Sequence, residues 1–156
     1  MKLIEDTRQK PERHELKHQW WQENGVQVLR CKIPFGDYCL PPKVSVDTKA
    51  DMLEIAGNIG GSTEEHNRFR EELKLAQEFG CKLIILVENT DGITCIEDVA
   101  SWKNPRRFES PKAIDGVRLS KAMATMQRRY GCEFWFCEPS EAARVIAELV
   151  EDWYGS

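Results

Sequence analysis

The sequence predicts a three-layer α/β domain, in which a central sheet is flanked by helices. Strand-like and helix-like segments alternate along the 156 residues, which is typical of α/β proteins. Residues 82–87 are almost continuously apolar, which indicates a strand buried on both faces by helices. With 41% hydrophobic and 31% charged residues, the chain has the composition of one globular domain with a substantial core.

The first half of the chain predicts four strands and one helix. The helix begins at Pro11 and is ended by Gly25, since proline favours helix starts and glycine favours helix ends. Runs of apolar residues between turn signals mark the strands. The predicted strands lie at residues 2–7, 25–33, 37–40 and 43–49, and the last two are expected to pair as a hairpin around Pro41 and Pro42.

The second half of the chain predicts helices around the buried strand. Residues 62–79 place Phe69, Leu73 and Ala76 on one helical face. After Pro139, apolar residues recur at the spacing of an amphipathic helix. The other predicted elements are helices at 51–58 and 119–130, a strand at 132–137, and a long polar loop at 89–115 with one short helix.

Composition excludes several classes of protein. No apolar run approaches the roughly 20 residues of a membrane span, and the N-terminus lacks the apolar stretch of a secretory signal. The sequence therefore predicts a cytoplasmic protein without a membrane partner. The six cysteines contain no C-x-x-C pair and are expected to be reduced core thiols. A net charge of −4 argues mildly against non-specific wrapping of nucleic acid.

Three acidic residues and a lysine carry the strongest chemical signal. Asp6 ends the first strand, and Asp37 lies in a Gly-Asp-Tyr motif. Asp47 and Lys49 follow on a later strand and should share one face, about 6–7 Å apart along it, because alternate side chains point to opposite faces. Carboxylates are the ligands that Mg²⁺ prefers, and a bound cation activates water for hydrolysis of phosphodiesters.

The four residues therefore receive distinct expected roles. Asp37 and Asp47 are the expected direct ligands of Mg²⁺ or Mn²⁺, and Asp6 is either a ligand or a partner of a ligand. Lys49 is expected to orient or help deprotonate the attacking water and to offset charge on the phosphate. The alternative is that all four are polar side chains at strand ends that form ordinary ion pairs.

The order of these motifs resembles the nuclease domain of the XPF family of structure-specific endonucleases, within the PD-(D/E)XK superfamily. Segments 4–8, 36–38 and 47–49 correspond to the family's first-strand aspartate, G-D-Y motif and E-R-K motif. Residues 67–72 are similar to its G-R-x-x-x-Q helix, and residues 118–153 to its final helix-strand-helix. The resemblance implies a restriction-endonuclease-like fold, a mixed central sheet flanked by helices, and metal-dependent hydrolysis of DNA.

The resemblance also implies partners and an alternative function. Branched, flap or fork DNA is the implied substrate, DNA repair the implied process, and a homodimer or heterodimer through the nuclease domain the implied assembly. The chain is expected to form a single domain over residues 1–156, without the tandem helix-hairpin-helix domain that often grips duplex DNA in this family. Thr48 replaces the family's arginine. The alternative is a non-catalytic DNA-binding or dimerisation partner of a nuclease.

Basic residues predict where DNA is contacted. Two of them lie within the matching motifs, in segments 4–8 and 67–72. Residues 102–108 interleave aromatic and basic side chains, which suits stacking on unpaired bases and contact with phosphate. The alternative for this segment is a solvated loop whose aromatic residues pack on the sheet. The predicted DNA-binding residues are Arg8, Arg68, Lys103, Arg106 and Arg107.

Residues 14–18 also spell the His-Glu-x-x-His pattern of zinc peptidases. Leu16 and Trp20 predict a core face on this helix, which would place His14 and His18 near solvent. No motif for a third ligand follows. The pattern is therefore predicted to be a coincidence on the surface.

Overall fold

The structure, a computed structural model, describes residues 1–155. The chain forms two compact units, residues 1–42 and the residues from Lys43 onward. Each unit has its own three-stranded sheet with helices around it. The predicted α/β class is confirmed. The assignment of residues 1–156 to one domain stays a prediction, and Ser156 lies outside the described residues.

The first unit is built on a mixed sheet. Its strands are β1 (Lys2–Glu5), β2 (Gln27–Arg30) and β3 (Tyr38–Cys39), in the order β2-β1-β3. β1 runs parallel to β2 and antiparallel to β3. Parallel strands need a crossover connection, and α1 (Glu15–Glu23) lies in the connection from β1 to β2.

The predicted hairpin around Pro41 and Pro42 is wrong. β3 pairs with β1. The strand after the prolines, β4 (Val44–Lys49), belongs to the sheet of the second unit. Two adjacent prolines lack N–H donors and restrict the residue before them, so a ladder of hydrogen bonds cannot run through this turn region.

The second unit has a parallel sheet. The central strand β5 (Lys82–Glu88) pairs in parallel with β4 on one side and with β6 (Glu133–Cys137) on the other. Its helices are α2 (Met52–Gly60), α3 (Thr63–Glu78), α4 (Ile96–Val99), α5 (Gly116–Tyr130) and α6 (Ala142–Gly155).

The central strand β5 is buried on both faces, as its apolar sequence predicts. Leu83, Ile85 and Val87 pack in the same cluster as the apolar faces of α2, α3 and α5. Ile84 and Leu86 point the other way and pack with residues of α6. Helices therefore cover both faces of this sheet, and the predicted three-layer arrangement is present in the second unit.

Two helices of the second unit extend beyond their predicted bounds. α2 continues past residue 58 to Gly60, and the N–H of Gly61 then donates to the carbonyl oxygen of Gly57 at 2.9 Å. α5 begins at Gly116, because the side chain of Asp115 caps it by accepting the N–H of Arg118 at 2.8 Å. The short helix predicted within residues 89–115 is α4.

The predicted core face of α1 is wrong. Leu16 and Trp20 are 83% and 57% exposed, whereas His18 contacts the buried carboxylate of Glu5. A buried carboxylate without a partner costs more free energy than the exposure of two apolar side chains. The helix is therefore turned so that a histidine, and not the apolar pair, faces inward.

The structure also bears on the predictions about membrane spans and cysteines. No helix within residues 1–155 combines the length and the apolar character needed to cross a membrane. All six cysteines are free thiols, as expected, but only Cys132 and Cys137 are buried, so the predicted core location is wrong for the other four. Burial raises the pKa of Cys132 to about 11, so this thiol stays protonated near neutral pH.

We predict that Gly116→Ala destabilises the protein by about 1–3 kcal/mol through overpacking. A methyl group there would lie 2.4 Å from the carbonyl oxygen of Val99 and 2.5 Å from that of Trp102. Gly57→Ala is the control, because its methyl group would meet only the end of the flexible Glu65 side chain, at 3.3 Å. The control should be neutral or stabilising by up to about 1 kcal/mol. Equal urea midpoints for the two variants would contradict this packing.

Candidate functional site

The second unit brings Asp47 and Lys49 together on one face of β4. Nζ of Lys49 lies 3.2 Å from Oδ2 of Asp47, which confirms the predicted shared face. The same Nζ lies 5.3 Å from the centre of the Phe69 ring on α3, a cation–π contact. Only 11% of the Lys49 side chain is exposed. The lysine is therefore held between a carboxylate and an aromatic ring.

Glu72 on α3 is a third charged group at this pair. Desolvation raises the pKa of Glu72 most, the negative charge of Asp47 raises it further, Lys49 opposes the rise, and a hydrogen-bond interaction with the Asp47 side chain also raises it. Sequence reasoning placed Glu72 in the 67–72 motif but gave it no role. The available signal was its position three residues after Phe69, which places both side chains on one face of a helix.

The carboxylate of Asp47 fits a cation. Its Oδ2 is buried and, among the described residues, accepts no hydrogen bond, since Lys49 approaches outside hydrogen-bond geometry. Buried charges are normally paired or coordinate metals. Glu72 supplies a second carboxylate, and such oxygen ligands suit Mg²⁺ or Mn²⁺.

The site nevertheless has few protein ligands. Within residues 1–155, neither unit by itself groups three or more His, Cys, Asp or Glu side chains around a position for an ion. Mg²⁺ commonly keeps several waters and uses one or two carboxylates, so two acidic side chains suffice for such an ion.

A cavity of about 470 Å³ opens beside Phe69 and Glu72. Asn58, Glu65 and Arg68 complete its lining. Oδ1 of Asn58 is buried and has no hydrogen-bond donor within the part of the chain that the structure describes. Arg68 is exposed at this cavity, where it could reach a phosphate, and its contact with DNA stays a prediction.

In the first unit, the carboxylate of Asp6 is engaged by Arg8. The backbone N–H of Arg8 donates to Oδ1 at 3.0 Å, its Nε donates to Oδ2 at 2.8 Å, and its Nη2 also donates to Oδ2. The side chain of Asp6 is fully buried, and these bonds hold its pKa at about 2. Asp6 therefore anchors a cationic side chain, and its role as a metal ligand stays a prediction that requires Arg8 to move.

Asp37 lies exposed directly after a tight turn. Gly36 has a φ of +77°, in the left-handed region that glycine adopts at low cost. The N–H of Asp6 donates to the carbonyl oxygen of Asp37 at 2.9 Å, and Nε2 of Gln9 donates to its Oδ1 at 2.9 Å. Within the first unit, the structure therefore brings the two predicted acidic residues together.

Glu5 is a buried carboxylate that the sequence did not single out. Nε2 of His18 lies 2.9 Å from its Oε2, and Nε of Arg30 lies 3.1 Å from its Oε1. The other histidine of the zinc-peptidase pattern, His14, contacts Lys17 at 2.8 Å. The two histidines therefore have separate partners, which supports the prediction that the pattern is a coincidence.

The remaining predicted DNA-binding residues lie in and beside the 3-10 turn Pro105–Phe108. Lys103, Arg106 and Arg107 all have exposed side chains. Nη1 of Arg107 donates to the carbonyl oxygen of Ala113 at 2.9 Å. Their contact with DNA stays a prediction.

A family model described as the ERCC4 domain matches residues 6–149, which is most of the chain. The chain belongs to the ERCC4 domain family. The resemblance to XPF-type nuclease domains is thereby confirmed. Nucleases of the ERCC4 family are endonucleases and generally depend on divalent metals.

Two solved structures are similar to this chain. XPF from Aeropyrum pernix is 23% identical with a TM-score of 0.48, and the match covers 97% of this chain and 64% of that one. XPF from Aeropyrum pernix in complex with DNA is 21% identical with a TM-score of 0.46, covering 96% and 62%. The ERCC4-domain chain thus spans less than two thirds of the length of either structure. A comparison with curated proteins finds no match.

We predict that Arg8→Gln raises the pKa of Asp6 from about 2 toward its ordinary value of 3.8, because the side-chain hydrogen bonds and the charge of Arg8 are lost while the backbone N–H of residue 8 remains. Because the folded pKa is depressed, the ion pair stabilises the fold fully above the ordinary pKa, and this stabilisation is lost as pH falls toward about 2. The carboxyl-carbon NMR shift of Asp6, followed during acid titration, reports the change. Arg13→Gln, at an arginine of the same unit, is the control. Titration of wild-type Asp6 at its ordinary value would contradict the ion pair.

Proposed function

We propose that this ERCC4-domain chain is a divalent-metal-dependent DNA endonuclease that hydrolyses phosphodiester bonds. One observation carries the proposal: a buried Asp47 oxygen without a hydrogen-bond donor among the described residues lies beside Lys49, with Glu72 close by. Membership of the ERCC4 domain family supports the same chemistry. Mg²⁺ or Mn²⁺ is the proposed ion, and branched, flap or fork DNA is the proposed substrate.

Four residues of the second unit would have distinct roles in the reaction. Asp47 and Glu72 would hold the ion through their carboxylate oxygens. A divalent ion, when bound, lowers the pKa of water and offsets the negative charge of the phosphate. Lys49 would orient the attacking water and place its positive charge near the charge that develops on the phosphate. Arg68 would contact a phosphate at the cavity.

The acidic residues of the first unit have narrower proposed roles. Asp6 would hold Arg8 in place, so that the exposed guanidinium is positioned for a phosphate. Asp37 is exposed and therefore accessible to a ligand. That Asp6, Asp37 and Asp47 share one ion stays a prediction.

The alternative is a non-catalytic DNA-binding or dimerisation partner of a nuclease. One observation favours it: Asp6, predicted as a metal ligand, is already compensated by Arg8. Pairing with an identical or a different chain stays a prediction.

We predict that Asp47→Asn lowers metal-dependent cleavage roughly 100-fold or more, the scale of losing an electrostatic group at a reaction centre. Asparagine keeps the shape of the side chain and removes its charge. Cleavage of single-stranded, duplex, flap and fork DNA is measured with Mg²⁺, Mn²⁺ or EDTA. Asp152→Asn, which neutralises an exposed carboxylate on α6, is the matched control and should cleave like wild type.

The possible results of this assay separate the two functions. Wild-type protein that binds DNA but cleaves no substrate with either metal would favour the non-catalytic partner. Cleavage that survives Asp47→Asn would point to a contaminant or another site. Binding of Mn²⁺, measured by electron paramagnetic resonance, gives a readout independent of cleavage and should weaken in both Asp47→Asn and Glu72→Gln.

We predict that Lys49→Met separates metal binding from catalysis. Loss of the ammonium group removes a repulsion on an incoming cation, so Mn²⁺ should bind as tightly as in wild type or more tightly. Cleavage should nevertheless fall roughly 100-fold. Lys74→Met, at an exposed lysine of α3, is the control and should cleave normally. Equal cleavage by the two variants would remove Lys49 from the mechanism.

A further inference from the structure

The turn Pro105–Phe108 presents an aromatic side chain that the fold leaves in solvent. Phe108 is 94% exposed. It lines a cavity of about 270 Å³ together with Trp102, Lys103, Asn104, Arg107 and the acidic Asp115. Trp102 is partly buried and packs against the main core, so one wall of the cavity is held by the fold.

The backbone that carries these side chains is anchored from within. Asn104 is buried, its Nδ2 donates to the carbonyl oxygen of Ile114 at 2.9 Å, and its Oδ1 accepts the N–H of Arg106 at 3.0 Å. Arg107 adds the bond to Ala113 described above. The turn therefore presents its exposed side chains from a fixed backbone.

Basic residues outnumber acidic ones around the turn, where Asp115 lies 3.8 Å from Nη1 of Arg107. Residues 103–112 contain four lysine and arginine residues and one glutamate, in a chain whose net charge is −4. Arg106 and Lys112 line a second cavity, of about 360 Å³. Asn104 lines both cavities, so an aromatic cavity and a basic cavity adjoin at this residue.

We propose that this surface binds single-stranded DNA. An unpaired base would stack in the cavity lined by Phe108 and Trp102, and adjacent phosphates would lie near Arg106 and Lys112. Aromatic side chains stack on any base, while basic side chains follow the backbone. Phe, Trp and Arg are also enriched at protein interfaces, but Lys is depleted there. Lys103 and Lys112 therefore favour DNA over a protein partner. The assignment rests on the proposed function for its polymer, DNA, and adds a site on this chain for the unpaired strand.

Fluorescence anisotropy in EDTA tests binding without cleavage, with a labelled oligothymidine strand of about 16 nucleotides and a blunt duplex of equal length. Phe108→Ala should weaken strand binding about tenfold, the scale of losing one base–aromatic stack, and change duplex binding less than about twofold. Phe108→Trp should retain strand binding, whereas Phe108→Leu should resemble Phe108→Ala. Trp135→Leu, at an exposed aromatic residue of β6, is the matched control and should bind like wild type.

A second arm tests the phosphate contact. Arg106→Gln should reduce the slope of log affinity against log salt concentration by about one. The proposal is overturned if wild type does not bind the strand, if Phe108→Ala binds it as wild type does, or if strand and duplex binding weaken equally. A changed oligomeric state of Phe108→Ala in analytical ultracentrifugation would assign Phe108 to a protein interface instead. Strand binding without any cleavage would overturn only the proposed nuclease activity.

Discussion

Burial of β5 on both faces determines the geometry of the candidate site. Asp47 pairs in register with Ile85, and Lys49 with Val87. Because Ile85 and Val87 face the layer of α2, α3 and α5, their partners on β4 face the same layer. A slip of one residue would turn the two charged side chains toward α6 and two valines toward α3. The burial of apolar side chains on β5 thus determines which face of β4 carries Asp47 and Lys49.

Among the described residues, four buried polar side-chain atoms lack a hydrogen-bond partner, and three of them belong to the second unit. Oδ2 of Asp47 and Oδ1 of Asn58 are both buried, and neither has a hydrogen-bond donor within the described residues. Each such group costs roughly 1–3 kcal/mol of stability, so natural proteins keep few of them. Phe69 lies near both groups. Its ring contacts Lys49, the ion-pair partner of Asp47, and it lines the cavity that Asn58 also lines. The proposed ion would satisfy the Asp47 oxygen and so offset part of this cost.

The sequence predicted those features that depend on local periodicity. The shared face of Asp47 and Lys49 follows from the period of two in a strand, and the double burial of β5 follows from its unbroken apolar run. The contact of Glu72 with this pair could not be predicted, because it depends on how α3 packs on the sheet. The prediction of which face of α1 is buried was wrong for a related reason. A sequence pattern cannot show that Glu5 is buried and needs His18 as a partner.

The four residues that the sequence presents as one set are energetically different. Asp6 is compensated by three hydrogen bonds from Arg8, and its depressed pKa reflects that compensation. Oδ2 of Asp47 has a nearby ammonium group but no hydrogen bond among residues 1–155. The side chain of Asp47 is also 24% exposed, whereas that of Asp6 is fully buried. A carboxylate oxygen without a hydrogen bond gains more from a cation than one that already accepts several. This difference supports the proposal that a divalent ion binds at Asp47, while Asp6 holds the side chain of Arg8.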